Sequence, residues 1–327
     1  MSIQLPPLGI DIAKATFEVD LLMNERHIHR GFKNTAEGHA KLATWLKQQK
    51  ADKVHACMEA TGRYGESLAL FLFQQGHVVS IANPTAIHHY GLSKLARNKT
   101  DRQDAYVIAC YCASERPRAW SPPAPEVLKL QQLVTYLDTL KVERARQYNR
   151  RAAEPPLPEI QQSIQQQITL LDEQIHQFEK AIRDHIGNNP ALRQRRDLLE
   201  SIPGIGEVTA SHLIAINLQN FDSARAAAAY AGVSPSIHES GSSVHRKSRL
   251  CKIGNTNLRR VLYMPSMAAI RFNPLIKALT GRLIKRHKCD MVCIGAAMHK
   301  LLCLAYGVLK SGIPFDPKYA LNPHLAT

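Results

Sequence analysis

The order of apolar segments in the first 115 residues constrains this chain most. GIDIA is a short apolar strand. FEVDLLMN and HIHRGFKN follow closely with the turn-like Asn24-Glu25 between them, which predicts a three-strand meander. TAEGHAKLATWLKQQK has helical spacing, with Thr35 as its N-cap. KVHACME is a strand, YGESLALFLFQQG a helix closed by Gly76, and HVVSIANP a strand ended by Pro84. A helix covers residues 101–114, and a further one near 85–96 is compatible with the pattern. The order is βββαβαβα.

Four carboxylates fall at telling places in that order: Asp11 in LGIDIA, Glu59 in VHACMEATG, and Asp101 and Asp104 in KTDRQDA. A carboxylate on a buried strand is costly unless it is paired or binds a metal. The element order is that of the ribonuclease H-like fold, in which the first strand is central and the fourth runs beside it. Asp11 and Glu59 would then be neighbours. Asp101 and Asp104 are three apart and share a helix face. The expected result is an oxygen-rich pocket suited to Mg²⁺, as in metal-assisted nucleases. Gly62 and Arg63 follow the Glu59 strand; Arg63 could pair with Glu59, touch a phosphate, or sit in a strand-to-helix turn.

The remaining chain reads as helical. RPRAWSPPAPE, residues 116–126, is a proline-rich linker. Residues 127–151 and 157–186 form two long polar helices broken by EPPLP. Ile160, Ile164, Ile168, Leu171, Ile175, Phe178 and Ile182 make a narrow stripe on the second, suited to a coiled coil within the chain or between chains. LLESIPGIGEVTASHLIAINL has two helices around a tight turn and looks like a helix-hairpin-helix. Gly204 and Gly206 there leave N–H groups for a DNA phosphate, or simply form a helix–helix turn. Residues 221–232 are helical, 233–249 form a loop, and helices resume near Asn257, interrupted at Pro274 and Lys288-Cys289.

Charge separates the two ends. The formal net charge is +15, and residues 225–310 hold 15 Lys and Arg against 2 Asp and Glu. Such a block favours a polyanion, with nucleic acid the usual one. Arg246, Lys247, Arg249, Arg259 and Arg260 are candidate contacts. The loop SPSIHESGSSVHRKS holds six serines, at 234, 236, 240, 242, 243 and 248, and a serine hydroxyl can attack phosphorus if activated. Seven irregularly spaced cysteines argue against zinc and read mostly as small buried residues of a reducing cytoplasm. The N-terminus lacks a signal-peptide pattern. Residues 291–309 are apolar but carry His299 and Lys300 centrally, so a core helix is expected and no membrane span.

GIDIAK, MEATGRY, KTDRQDA, IPGIG, AYAGVSPSIHESGSS and IGNTNLRRVLY together resemble the DEDD-type insertion-sequence transposases of the "one-ten" family, related to the Piv DNA invertases. The resemblance implies an α/β plus α architecture. Residues 1–116 would be a RuvC-like domain, 117–190 a linker and coiled-coil connector, and 191–327 a mainly helical transposase domain. It maps the DEDD acids onto Asp11, Glu59, Asp101 and Asp104, and the nucleophile onto Ser240. Ser242 and Ser243 crowd that position and keep the choice open by a residue or two. It also implies a covalent 5′-phosphoserine intermediate, Mg²⁺ on the acids, and a dimer assembling to a tetramer. The partners implied are donor DNA, target DNA and a structured bridge RNA whose loops pair with both. Two alternatives remain: a Mg²⁺-dependent junction nuclease with an inert serine, and a non-catalytic nucleic-acid-binding protein.

Overall fold

The computed structural model describes residues 5–23, 26–60, 62–94, 101–153, 157–236, 239–240, 244–245 and 249–318. It forms two compact units, Met1–Pro122 and Pro123–Thr327. The first is built from β1 (Pro7–Ile12), β2 (Thr16–Met23), β3 (Arg26–Lys33), α1 (Ala36–Gln48), β4 (His55–Glu59), a 3-10 turn (Gly62–Gly65), α2 (Glu66–Gln74), β5 (Val78–Ala82), α3 (Pro84–Ser93) and α4 (Asp101–Glu115). The sheet order is β3-β2-β1-β4-β5, so the first strand is central and the fourth lies beside it. β2 is antiparallel to β1 and β3, while β4 is parallel to β1 and β5. Met23 pairs with Arg26 across the hairpin, though Asn24 and Glu25 themselves lie outside the described residues.

Strand alternation gives this sheet two different faces. Leu8, Ile10, Phe17, Val19, Leu21, Ala56 and Met58 close one core with Leu42, Trp45 and Leu46 of α1 and Leu68 and Leu72 of α2. Thr35 caps α1 as expected, its hydroxyl accepting from the Gly38 amide at 3.3 Å. The other face carries α3 and α4 over a smaller cluster of Cys57, Ala82, Ile87, Ile108 and Cys112. The proline-rich segment is used structurally: Trp120 packs edge-on to Phe73, and its amide donates to the Val79 carbonyl at 2.6 Å.

The second unit begins with α5 (Pro125–Ala153) and α6 (Pro158–Asn188), which pack together as a hairpin. Ile175 and Ile182, seven apart, are buried in a core shared with Leu130, Val134 and Leu137 of α5, and Ile168, seven residues earlier, is buried as well, so this part of the stripe serves packing within the chain. Lys141–Glu179 (2.8 Å) and Arg144–Asp172 (2.7 Å) tie the rims. Ile160, at the far end of the stripe, is exposed.

Next come α7 (Pro190–Glu200), α8 (Glu207–Ala215), a 3-10 turn (Leu218–Asn220) and α9 (Ala224–Ala231). The segment expected as a loop contains four two-residue strands: β6 (Pro235–Ser236), β7 (Glu239–Ser240), β8 (Val244–His245) and β9 (Arg249–Leu250). Then α10 (Thr256–Phe272), α11 (Pro274–Lys285) and α12 (Asp290–Ser311) complete the unit. Asn83-Pro84, Asn189-Pro190 and Asn273-Pro274 each open a helix, the asparagine oxygen capping and the proline taking the first position.

α12 is long and apolar enough to span a membrane. Met298, Leu301, Leu302 and Ala305 on it are buried in the core of this unit instead. All seven cysteines are free, but the expectation that most are buried is corrected: Cys57, Cys112 and Cys293 are, while Cys251 and Cys289 are exposed. The small apolar thiol is tolerated at these two surface positions, beside basic and polar neighbours that the sequence pattern did not separate from core.

Candidate active site

Asp11 and Glu59 stand side by side. β1 and β4 pair with Gly9 opposite Cys57 and Ile10 opposite Met58, and Asp11 and Glu59 are the next residue on each strand. Both therefore leave the same face of the sheet, and both are half-buried. α4 lies on that face. A Cβ at Gly9 would sit 2.1 Å from the Ala105 carbonyl oxygen and 2.2 Å from the Ala109 nitrogen, so only glycine permits this approach. Near the start of β4, the Cys112 thiol donates to the His55 carbonyl at 3.4 Å.

α4 thus runs opposite to β1 and β4, bringing its N-terminus to the strand ends that carry Asp11 and Glu59. Asp101 is its first residue and Asp104 is half-buried one turn on. The positive end of the helix dipole favours carboxylates there. The donor set is entirely carboxylate, which suits a hard divalent cation. For Asp101 only the backbone is described, and among the described residues no three His, Cys, Asp or Glu side chains stand together as a metal-holding group.

The same face holds groups that the sequence analysis missed. Glu18 pairs with Asp11 across β1–β2, and Asp20 pairs with Gly9. Asp20 is fully buried, with His27 Nδ1 3.1 Å and His29 Nδ1 3.9 Å from its Oδ2. His29 Nε2 lies 3.0 Å from Glu18 Oε2. Among the described residues, Asp20 Oδ1 and His29 Nδ1 are buried without hydrogen-bond partners. Burial pushes the Asp20 carboxyl above its ordinary range, and His27, His29 and Arg102 of α4 draw it only partway back. The signal for these residues lies in the polar alternate positions of TFEVDLLM and RHIHRGFK. Farther along, a hydrogen bond to Cys112 and burial hold the Cys57 thiol far above its usual range, so it is a neutral core group.

The serine segment is a ribbon of two nested pairs. Pro235 and Ser236 pair with Leu250 and Arg249, and Glu239 and Ser240 pair with His245 and Val244. Ser240 is thus next to the tip on the backbone; its side chain is not described. Gly241, Ser242, Ser243, Arg246, Lys247 and Ser248 lie outside the described residues. Arg249 is exposed. Arg259 donates to the Ala231 carbonyl at 3.1 Å, and Arg260 reaches Asn257 Oδ1 at 2.7 Å and Asp138 Oδ1 at 3.4 Å.

In the α7–α8 turn, Gly204 has φ +109°, and a Cβ there would meet Ala269 Cβ at 2.7 Å and the Pro265 oxygen at 2.9 Å. Packing against α10 accounts for that glycine. Gly206 caps α8, and a Cβ there would meet open space. Arg63 sits in the 3-10 turn after β4, with only its backbone described.

Residues 8–153 match the DEDD transposases of IS110 elements, and residues 196–280 match the transposase family IS116/IS110/IS902. The chain is 33% identical to the pilin gene-inverting proteins of Moraxella lacunata and Moraxella bovis over 317 residues, covering 95% of this chain and 98% of each of theirs. It is also 24% identical over 154 residues to an uncharacterized 43.6 kDa protein of insertion element IS110 from Streptomyces coelicolor, covering 46% of this chain and 38% of that protein. The chain belongs to the IS110 family of transposases and recombinases.

Proposed function

We propose that this DNA-rearranging protein is an RNA-guided recombinase that cuts and rejoins DNA through Ser240. The observation that carries the reading is the position of Asp11 and Glu59, each the next residue after a paired position on adjacent strands, with the acid-bearing start of α4 directed toward them. In this proposal the first unit is a RuvC-like, ribonuclease H-like domain, and Asp11, Glu59, Asp101 and Asp104 hold Mg²⁺. The ion would supply charge neutralisation at the reacting phosphate. The Ser240 hydroxyl gives up its proton to solvent as Oγ bonds to phosphorus, and the P–O bond to the 3′ oxygen breaks, that oxygen taking up a proton to leave as a 3′-hydroxyl. The product is a 5′-phosphoserine link that conserves the bond energy for rejoining.

The basic second unit contacts donor DNA, target DNA and a structured bridge RNA. Support comes from charge: no Asp or Glu occurs between Glu239 and Asp290. Arg249 and Arg260 are exposed there, and the cap at Gly206 is open to a phosphate as in a helix-hairpin-helix. Assembly of dimers into a tetramer would let one copy's acids serve another copy's serine. The site of action is a reducing cytoplasm.

The test uses labelled recombining DNA, guide RNA and Mg²⁺ on a denaturing gel. Wild type should give a protein–DNA adduct, Ser240→Ala none, and Asp11→Asn none while RNA binding persists. An adduct surviving in Ser240→Ala would overturn the nucleophile. Hydrolysed ends with no adduct in wild type would establish the junction-nuclease reading instead.

A further inference from the structure

α4 is held on both flanks, and the two grips differ in chemistry. On the α3 side, Tyr111 packs edge-on to Tyr90 at 5.6 Å, and the Tyr90 hydroxyl donates to the Cys110 carbonyl at 3.2 Å. On the other side the helix meets β2 and β3. Arg102, Tyr106 and Cys110 recur every four residues and form one stripe. Tyr106 lies against the His27 ring at 4.9 Å, and Arg102, exposed one turn earlier, adds the weakest of the attractions on the Asp20 carboxylate. His27 is fixed in turn by Asp20, and Asp20 neighbours His29, whose far nitrogen is anchored on Glu18.

We propose that Asp20 and His27 are positioning residues: through Tyr106 and Arg102 they set where the first turn of α4 lies, and so where Asp101 and Asp104 stand relative to Asp11 and Glu59. This rests on the metal-site reading above.

A purely structural role accounts poorly for Asp20. A buried carboxylate with one oxygen that has no partner among the described residues costs stability, and an apolar residue opposite Gly9 would pack against α4 without that cost. Its raised carboxyl has the same meaning: folding disfavours the charge at neutral pH. What the charge supplies is a fixed seat for His27, 3.1 Å from Asp20 Oδ2 and 4.9 Å from the Tyr106 ring, with a weaker pull on Arg102, which sits between the two helix acids in sequence. A charge aimed at the turn that carries the ligands is the arrangement by which outer residues orient inner ones. His27 adds the ring that Tyr106 rests on.

The experiment compares full-length wild type with Asp20→Asn, Tyr106→Ala and Tyr106→Phe. Three quantities are read: melting temperature without metal, hydrogen exchange of residues 101–110 without metal, and the Mg²⁺ concentration giving half-maximal DNA cleavage. Asp20→Asn keeps an acceptor for His27 but removes the charge. Its melting temperature should be unchanged or higher. Exchange in the first turn of α4 should quicken, and the Mg²⁺ requirement should rise about tenfold, the lower end for loss of an outer partner. Tyr106→Ala should do the same, while Tyr106→Phe, which keeps the ring, should behave as wild type. Wild-type exchange and Mg²⁺ requirement in Asp20→Asn would overturn the proposal. So would activity that falls only in step with melting temperature. If wild-type cleavage proves independent of metal, the metal-site reading fails, and the exchange data alone decide whether Asp20 positions the helix.

Discussion

The two faces of the five-stranded sheet are made by the same strands and obey opposite rules. Toward α1 and α2, every alternate residue of β1 and β2 is a large apolar side chain: Leu8, Ile10, Phe17, Val19, Leu21. Toward α4, the intervening positions are Gly9, Asp11, Glu18 and Asp20. The first face is filled by volume, and its stability comes from apolar area removed from water. The second is set by backbone approach at Gly9 and by polar partners around it. One face can therefore carry the folding energy while the other holds carboxylates that a folding criterion alone would reject. The difference predicts that damage to each face will register in a different measurement.

Phe17→Ala should give the largest stability loss. Phe17 is 1% exposed and stacks on Phe32 at 5.5 Å, and emptying such a site costs about 3–5 kcal/mol. Urea unfolding of the full chain should show it. At a temperature where the variant stays folded, its Mg²⁺ requirement should match wild type. A changed requirement would mean that the two faces are not separable.

Gly9→Ala should cost less stability yet more function. The added methyl meets backbone atoms, which cannot rotate away, so α4 must shift. Overpacking of this kind costs about 1–3 kcal/mol. DNA cleavage should nevertheless disappear, because the shift separates the helix acids from Asp11 and Glu59. Cleavage at the wild-type rate would show that close docking of α4 is unnecessary.

Much of the apolar face was legible in the sequence, because period-two alternation in GIDIA and FEVDLLM, the Thr35 cap and the Gly76 closure are local signals. The placement of Asp11 beside Glu59 was legible too, once element order placed the first strand centrally. The supporting groups were not. Glu18, Asp20, His27 and His29 alternate with apolar residues in the manner of solvent-facing positions, and only the docking of α4 makes Asp20 an interior residue. That docking depends on Gly9, whose meaning lies in a helix almost 100 residues later. The ribbon around Ser240 was equally hidden, since pairs of two residues between serines and glycine give no periodic signal. The charge of Arg259 and Arg260 was plain in the sequence, but their anchors at Ala231 and Asp138 are contacts between distant elements.

The second unit supplies the control for Asp20: a half-buried carboxylate that is well partnered. Asp138 on α5 meets His212 Nε2 at 3.0 Å, the Asn257 amide, and Arg260, joining α5, α8 and α10. Burial pushes its carboxyl up, but hydrogen bonds from His212 and Asn257, with the charges of His212 and Arg260, outweigh burial and hold it below the ordinary 3.8. A depressed carboxyl contributes stability above its unfolded value, and that contribution is lost as pH falls through the folded value. Asp138→Asn should therefore cost about 1–2 kcal/mol near neutral pH. The gap should narrow in urea titrations taken progressively below 3.8. Asp20→Asn has the opposite sign, because folding raises that carboxyl: its effect on stability should be nil or favourable at neutral pH. If both variants destabilise alike, with no dependence on pH, the charge on Asp20 is as much a part of the fold as that on Asp138. The polar face would then be a second core and not a surface kept for chemistry.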